Sequence, residues 1–167
     1  MKLRSSCTTM LASFLSAVCF AQVSPQSGVF VSQTPFTFSD QETVEISKLD
    51  PALPAKLGTQ TFSDIRYLSD GLGVNGMLAV PGRPGKYPCI ILNRGGNLEF
   101  AAWTHASFAE LVGPLVDAGY IVIASQYRGN AGGQGKEEFG GAEIDDVLNL
   151  IPLLNSIPQA DTSRIGM

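Results

Sequence analysis

The chain has 167 residues, with 11 Lys and Arg against 15 Asp and Glu, a net charge of −4 with its single histidine neutral. That balance argues against nucleic acid, whose phosphates require basic patches, and against anionic membrane surfaces. Cys7 and Cys19 lie in an N-terminal segment read as removable and Cys89 stands alone in the rest, so neither an internal disulfide nor a cysteine metal site is expected.

Residues 1–21 read as a secretory signal peptide. Lys2 and Arg4 give a positive start, residues 9–20 an apolar run, and Ala21 a −1 cleavage position with Cys19 at −3. An uncleaved anchor is the alternative, but the run falls short of the ~20 residues a bilayer needs. Val18 before Cys19 does not suit a lipoprotein signal. A periplasmic or extracellular location without a stable membrane anchor is therefore expected. Cleavage after Ala21 leaves 146 residues, with nine basic against fifteen acidic side chains once Lys2 and Arg4 are gone, a net charge of −6.

Residues 22–58 are rich in Ser, Gln, Thr and Pro and are expected to form an extended segment with at most one short strand and no chemistry. Residues 61–69 alternate as a strand, 74–80 form a second, and the turn between them suits a hairpin. The continuous apolar run 87–93 is typical of a strand covered on both faces. Phe108, Leu111, Val112, Leu115 and Val116 then follow a helical period, with Pro114 expected to kink the helix and Gly119 to end it. Residues 120–127 form another buried strand. Ile144, Val147, Leu148 and Ile151 predict a second helical stripe, with Glu143, Asp145 and Asp146 favourable in its first turn. Arg164–Met167 reads as a third buried run. Buried strands alternating with helices predict an α/β fold with a mostly parallel sheet, preceded by an antiparallel hairpin.

Two glycine-rich loops follow the buried strands. Asn93–Asn97 (NRGGN) stands where loops line the ligand crevice of an open parallel sheet. Its adjacent glycines either aim backbone N–H groups at an oxyanion or simply make a tight turn. Gln126–Gly141 is too long for a plain turn, and loops of that length are often functional, although such loops also serve only to route the chain. Within it Lys136, Glu137 and Glu138 are expected to be solvated. Gly71–Gly76 matches the G-x-G-x-x-G pattern but lies between hairpin strands, and Gly135-Lys136 lacks the Ser or Thr of a phosphate loop. His105 is expected at the surface or partly packed, and Cys89 as a small buried residue. No metal or cofactor is implied, and no serine stands in a G-x-S-x-G turn.

The segment CIILNRGGN resembles the strand and oxyanion loop of α/β-hydrolases of the prolyl oligopeptidase and dienelactone hydrolase type. SQYRGNAGGQGKEEFGGAEIDDVLNLI is more specifically similar to that group's Tyr-Arg-Gly segment and the helix after it. DTSRIGM resembles the approach to the strand that precedes the catalytic serine. The resemblance covers about residues 60–167 and implies a partial α/β-hydrolase fold over 59–167. Gly95 and Gly96 match the oxyanion-loop glycines. Arg94 stands where the family often has His, so either Arg94 supplies a charged donor or the backbone acts alone. Tyr127, Arg128 and Gly129 match the element that shapes the edge of the site.

In this family the triad runs Ser, Asp or Glu, then His, so all three members are expected beyond Met167 and His105 is misplaced for the base. The resemblance thus implies the N-terminal part of an exported peptidase or esterase acting on a small-molecule or peptide substrate through an acyl-enzyme, inactive as this chain alone. The alternative is a small secreted binding module on the same truncated sheet. The nature of the substrate and the oligomeric state are not fixed by the sequence.

Overall fold

The computed structural model describes residues 27–167, so the predicted signal peptide lies outside the described residues. In chain order the elements are β1 (Val29–Phe36), α1 (Asp40–Leu49), α2 (Leu53–Leu57), β2 (Gln60–Ser69), β3 (Leu72–Pro81), β4 (Tyr87–Leu92), α3 (His105–Asp117), β5 (Ile121–Ser125), α4 (Glu143–Leu148), α5 (Leu150–Leu154) and β6 (Ala160–Gly166).

The sheet runs β1-β2-β3-β5-β4-β6. The β1/β2, β2/β3 and β3/β5 pairs are antiparallel, whereas β5/β4 and β4/β6 are parallel. Following those senses, β2, β4, β5 and β6 share one direction, giving the mostly parallel α/β sheet expected. The β2–β3 hairpin closes through Asp70 and Gly71, both at positive φ (51° and 79°), a backbone that matches the right-handed twist of the strands.

Alternation along the inner strands builds two cores. Val74 and Leu78 of β3 and Ile121 and Ile123 of β5 face α5, while Met77, Ala79, Val122 and Ala124 face α1–α3. The two crossovers thus use opposite faces, because one returns along the sheet from β4 to β5 and the other advances from β5 to β6.

Three expectations need correction. Residues 27–58 are not extended throughout: β1 joins the sheet, and two helices follow. Ser39 and Glu42 form a reciprocal capping box that starts α1, and Ile46 and Leu53 bury into the core under α3. Second, the run Arg164–Met167 is not buried. Arg164–Gly166 close β6 at the sheet edge, and Met167 after it is 68% exposed. Third, of the predicted stripe Ile144, Val147, Leu148 and Ile151, only Val147 packs against the core; the other three are exposed, while Glu143 and Asp146 are buried.

Helix α3 follows its periodicity more closely. Phe108, Val112 and Val116 are buried, Leu115 is partly so, and only Leu111 turns outward, at 50% exposure. The buried side is completed by Ala106, Ala109 and Gly113, and a methyl on Gly113 would come within 2.6 Å of Leu57 in α2. The helix continues past Pro114 to Asp117, and Gly119 follows at φ 92°.

Candidate functional site

Strands β4, β5 and β6 end at the same side of the sheet. The connections that leave β4 and β5 depart to opposite faces of the sheet, which opens a crevice beyond the strand ends. A cavity of about 460 Å³ occupies that place. The loop after β4 contributes Asn93, Arg94 and Gly96, the loop after β5 contributes Tyr127, Glu137 and Phe139, and Met167 follows β6.

Arg94 organises the loop. Its side chain is fully buried and donates from Nη1 to the Phe100 carbonyl at 2.8 Å, from Nη2 to the Leu98 carbonyl at 2.7 Å and from Nε to the Gln126 carbonyl at 3.3 Å. The guanidinium lies 4.8 Å from the centre of the Tyr127 ring. Three carbonyls from two loops thus converge on one planar cation, a task suited to the rigid fork of arginine. A buried cation requires a counter-charge, and Glu137 provides it at 3.1 Å. The same Glu137 oxygen accepts from the Leu98 N–H at 2.8 Å and from Asn130 Nδ2 at 2.7 Å. Glu137 was expected in solvent and is 7% exposed, because its partner arrives from a loop 43 positions earlier. Lys136 and Glu138 are solvated as expected.

With Arg94 engaged by carbonyls and Glu137, the loop's free donors are backbone groups and the side-chain amides of Asn93 and Asn97. Among the described residues no group accepts from the Gly95 or Gly96 N–H. Gly96 sits at φ 77°, and a methyl there would come within 2.7 Å of the Phe100 carbonyl oxygen. A methyl on Gly95 would meet nothing within 4 Å.

The Tyr-Arg-Gly element divides its work. Tyr127 lines the cavity at φ 64°, an unfavourable backbone for a bulky residue. Its N–H donates to Ser125 Oγ at 2.9 Å and its hydroxyl to the Arg94 carbonyl at 3.2 Å. Burial pushes the phenol pKa up. Arg128 and Gly129 lie beneath the loop, away from the cavity lining. Arg128 is held by Asp146 at 2.8 Å and Asp70 at 2.7 Å, so it ties α4 to the β2–β3 turn. Asp146 also accepts from the Arg128 N–H at 2.7 Å. Gly129 at φ 81° passes so close to Gly135 that a methyl would lie 2.9 Å from the Gly135 carbonyl oxygen.

Glu143 closes the other end of the loop. It accepts from the N–H groups of Glu138 and Gly141 at 3.0 Å and from that of Gly140. Burial pushes its carboxyl upward, but the backbone donors outweigh that and bring it down to about 2. Beside it, Ile144, Val147 and Leu148 form an apolar cavity wall. The sequence reading missed Glu137 and Glu143 as loop anchors and these three as cavity wall. Glu137 carries no local signal, whereas the acidic start of α4 after Gly140-Gly141 was visible and misassigned to the helix dipole.

His105 lies elsewhere. Its ring stacks on Phe36 at 3.7 Å between centroids, with Nε2 3.1 Å from Asp64 and Nδ1 3.4 Å from Glu42. Cys89 is 1% exposed and its thiol pKa is pushed up by burial, so it serves as packing.

These features, a crevice at the strand ends with a glycine loop after β4, define an α/β-hydrolase fold, and known structures agree. The chain matches the ligand-bound rice cell wall degrading esterase LipA from Xanthomonas oryzae with a TM-score of 0.57 at 18% identity, covering 81% of this chain and 39% of that one. It matches esterase Est22 with a TM-score of 0.56 at 17% identity, over 75% and 40% of the two chains. Acetyl xylan esterase 1 from Thermoanaerobacterium sp. JW/SL YS485 gives 0.51 at 16% identity, over 78% and 55%. At such identities these matches establish the fold alone. In sequence, the chain is 36% identical over 101 residues to the uncharacterized peptidase YtmA of Bacillus subtilis (strain 168), covering 60% of this chain and 38% of that relative. The match thus spans well under half of that relative. No protein-family model matches the chain.

Proposed function

We propose that the chain is the N-terminal portion of an exported serine hydrolase, a peptidase or esterase of prolyl oligopeptidase type. The observation that carries this reading is the crevice, where the Gly96 end of the NRGGN loop and Met167 after β6 line one cavity. In this reading a serine that follows β6 attacks the substrate carbonyl, and a histidine base takes its proton. The negative oxygen of the tetrahedral intermediate is received by the Gly95 and Gly96 N–H groups. Collapse expels the amine or alcohol, which takes the proton back from the histidine, and leaves an acyl-enzyme that water, activated by the same base, hydrolyses. Arg94 and Glu137 hold the loop in position, and Tyr127 closes its edge. Ile144, Val147 and Leu148 offer an apolar wall to a small-molecule or peptide substrate.

Support comes from the peptidase name of the sequence relative and from the esterases that share the fold. In this reading the nucleophile, base and acid are supplied by chain beyond Met167, so the 167 residues alone are expected to be inactive. Export follows from the predicted signal peptide, and the secreted product should begin at Gln22 on N-terminal sequencing. Among the described residues no helix is long and apolar enough to cross a membrane.

The test uses a fluorophosphonate probe and p-nitrophenyl acetate on two proteins, the 167-residue chain and the product of the entire reading frame. The longer protein should be labelled and turn over the ester, with turnover reduced by Gly96→Val; the shorter should do neither. Labelling of the short chain, or failure of the long one to be labelled, would overturn the reading. The second reading, a secreted binding module, is favoured by the cavity being formed without any triad member. Saturable binding of an ester by a long protein that is never labelled would establish it.

A further inference from the structure

We propose that a second cavity, on the face of the antiparallel strands, binds a neutral polyhydroxylated ring such as a saccharide. The cavity has a volume of about 410 Å³, within the roughly 300–1,000 Å³ of small-molecule sites. It shares no lining residue with the crevice.

The strand register assembles its polar wall. Thr34 of β1 and Met77 of β3 stand opposite Asp64 of β2, and Ser32 and Asn75 stand opposite Arg66. Residues directly opposite in antiparallel strands project from the same face, so all six emerge together. Trp103, from the loop before α3, and Ala131, from the loop after β5, complete the rim.

These groups are held before any ligand arrives. Arg66 Nη1 donates to Asn75 Oδ1 at 3.2 Å, and Asn75 Nδ2 donates to the Ala131 carbonyl at 2.8 Å. The Trp103 backbone is gripped at both ends by Gln126, which accepts from its N–H at 3.0 Å and donates to its carbonyl at 2.7 Å. Such fixing lowers the ordering cost of binding.

The chemistry on offer is mixed by design of the register. The guanidinium of Arg66 makes its one side-chain hydrogen bond to Asn75, and its other donors are unengaged among the described residues. The hydroxyls of Ser32 and Thr34 have no partner among the described residues, and Asp64 supplies carboxylate oxygens while also facing His105 at 3.1 Å. One positive and one negative group share the wall, so a charged ligand would gain one contact and meet one repulsion. A ring of vicinal hydroxyls both donates and accepts and satisfies the two together. Trp103, whose ring packs edge-on against Phe108, and Met77 add the apolar part of the lining.

Trp103 lines this cavity and is the only tryptophan in the chain, so its emission serves as the readout. The 167-residue chain is titrated with xylobiose and with cellobiose, and separately with sodium sulfate and tetramethylammonium chloride. A saturable change in Trp103 emission with at least one disaccharide and none with either salt is expected. Arg66→Ala and Thr34→Val should each weaken the response, the former by about tenfold, the loss that accompanies one hydrogen bond to a charged group. Thr34→Val removes no internal hydrogen bond, so it remains informative if Arg66→Ala fails to fold by circular dichroism. No saturable change in the folded wild type, an equal response to sulfate, or unaltered affinity in Thr34→Val would each overturn the proposal. So would loss of the response in Phe139→Ser, which would put the sugar in the crevice.

Discussion

Helices α3 and α4 both begin a crossover from one parallel strand toward the next, yet they bury opposite kinds of residue. In α3 the buried residues are Ala106, Phe108, Ala109, Val112, Gly113 and Val116. In α4 the buried residues are Glu143 and Asp146, while Ile144 and Leu148 are 52% and 48% exposed. The first helix has 13 residues and is held by apolar area removed from water. The second has six, too few to build a wide apolar face, and is held by charge. Asp146 anchors it to Arg128, and Glu143 anchors it to the N–H groups of the preceding loop. An α/β unit therefore separates two duties. One helix stabilises the sheet, and the other fixes a loop and turns its apolar side to a cavity.

The contrast can be broken most severely at Asp146. Asp146→Ala leaves the Arg128 guanidinium without its buried partner, and urea unfolding should register a loss of about 3–5 kcal/mol. Val112→Ala in α3 should cost about 2 kcal/mol by the same measurement, from lost transfer energy and the cavity left behind. Acid sharpens the comparison further. The Glu143 carboxyl lies at about 2 in the folded protein against an ordinary 4.5. Its contribution is thus fully present above about 4.5 and is lost as pH falls toward 2. Urea midpoints followed across that window should fall less steeply in Glu143→Gln than in the wild type. If the two slopes are equal, Glu143 is not the anchor described. The smallest effects belong to the exposed apolar residues of α4: Ile144→Ser and Leu148→Gln should each change stability by no more than about 0.5 kcal/mol. A loss comparable to Val112→Ala would mean that α4 is packed like α3.

Much of this architecture was legible in residue order. The apolar runs of β4 and β5, the alternation and Asp-Gly turn of the β2–β3 hairpin, and the period of α3 are local patterns, and all reappear in the structure. The capping box Ser39-x-x-Glu42 was equally local and could have revealed α1 within a segment whose composition suggested extended chain. Glu137 could not have been found this way. Its neighbours Lys136 and Glu138 are solvated, and nothing in the intervening chain distinguishes the middle charge. The buried side of α4 was misjudged because periodicity identifies an apolar stripe without saying what it faces.

What the sequence determined by itself is the alternation of strands and helices and the positions of the two glycine-rich loops, since each follows from interactions between residues close along the chain. Resemblance then located the loop glycines Gly95 and Gly96. The tertiary structure alone decided which charges are buried and why. Arg94 and Glu137, 43 positions apart, and Arg128 and Asp146, 18 apart, meet only when the loops fold over the ends of the sheet. A buried charge is tolerable only beside its partner, so the pairing that fixes the candidate site is a property of the folded loops.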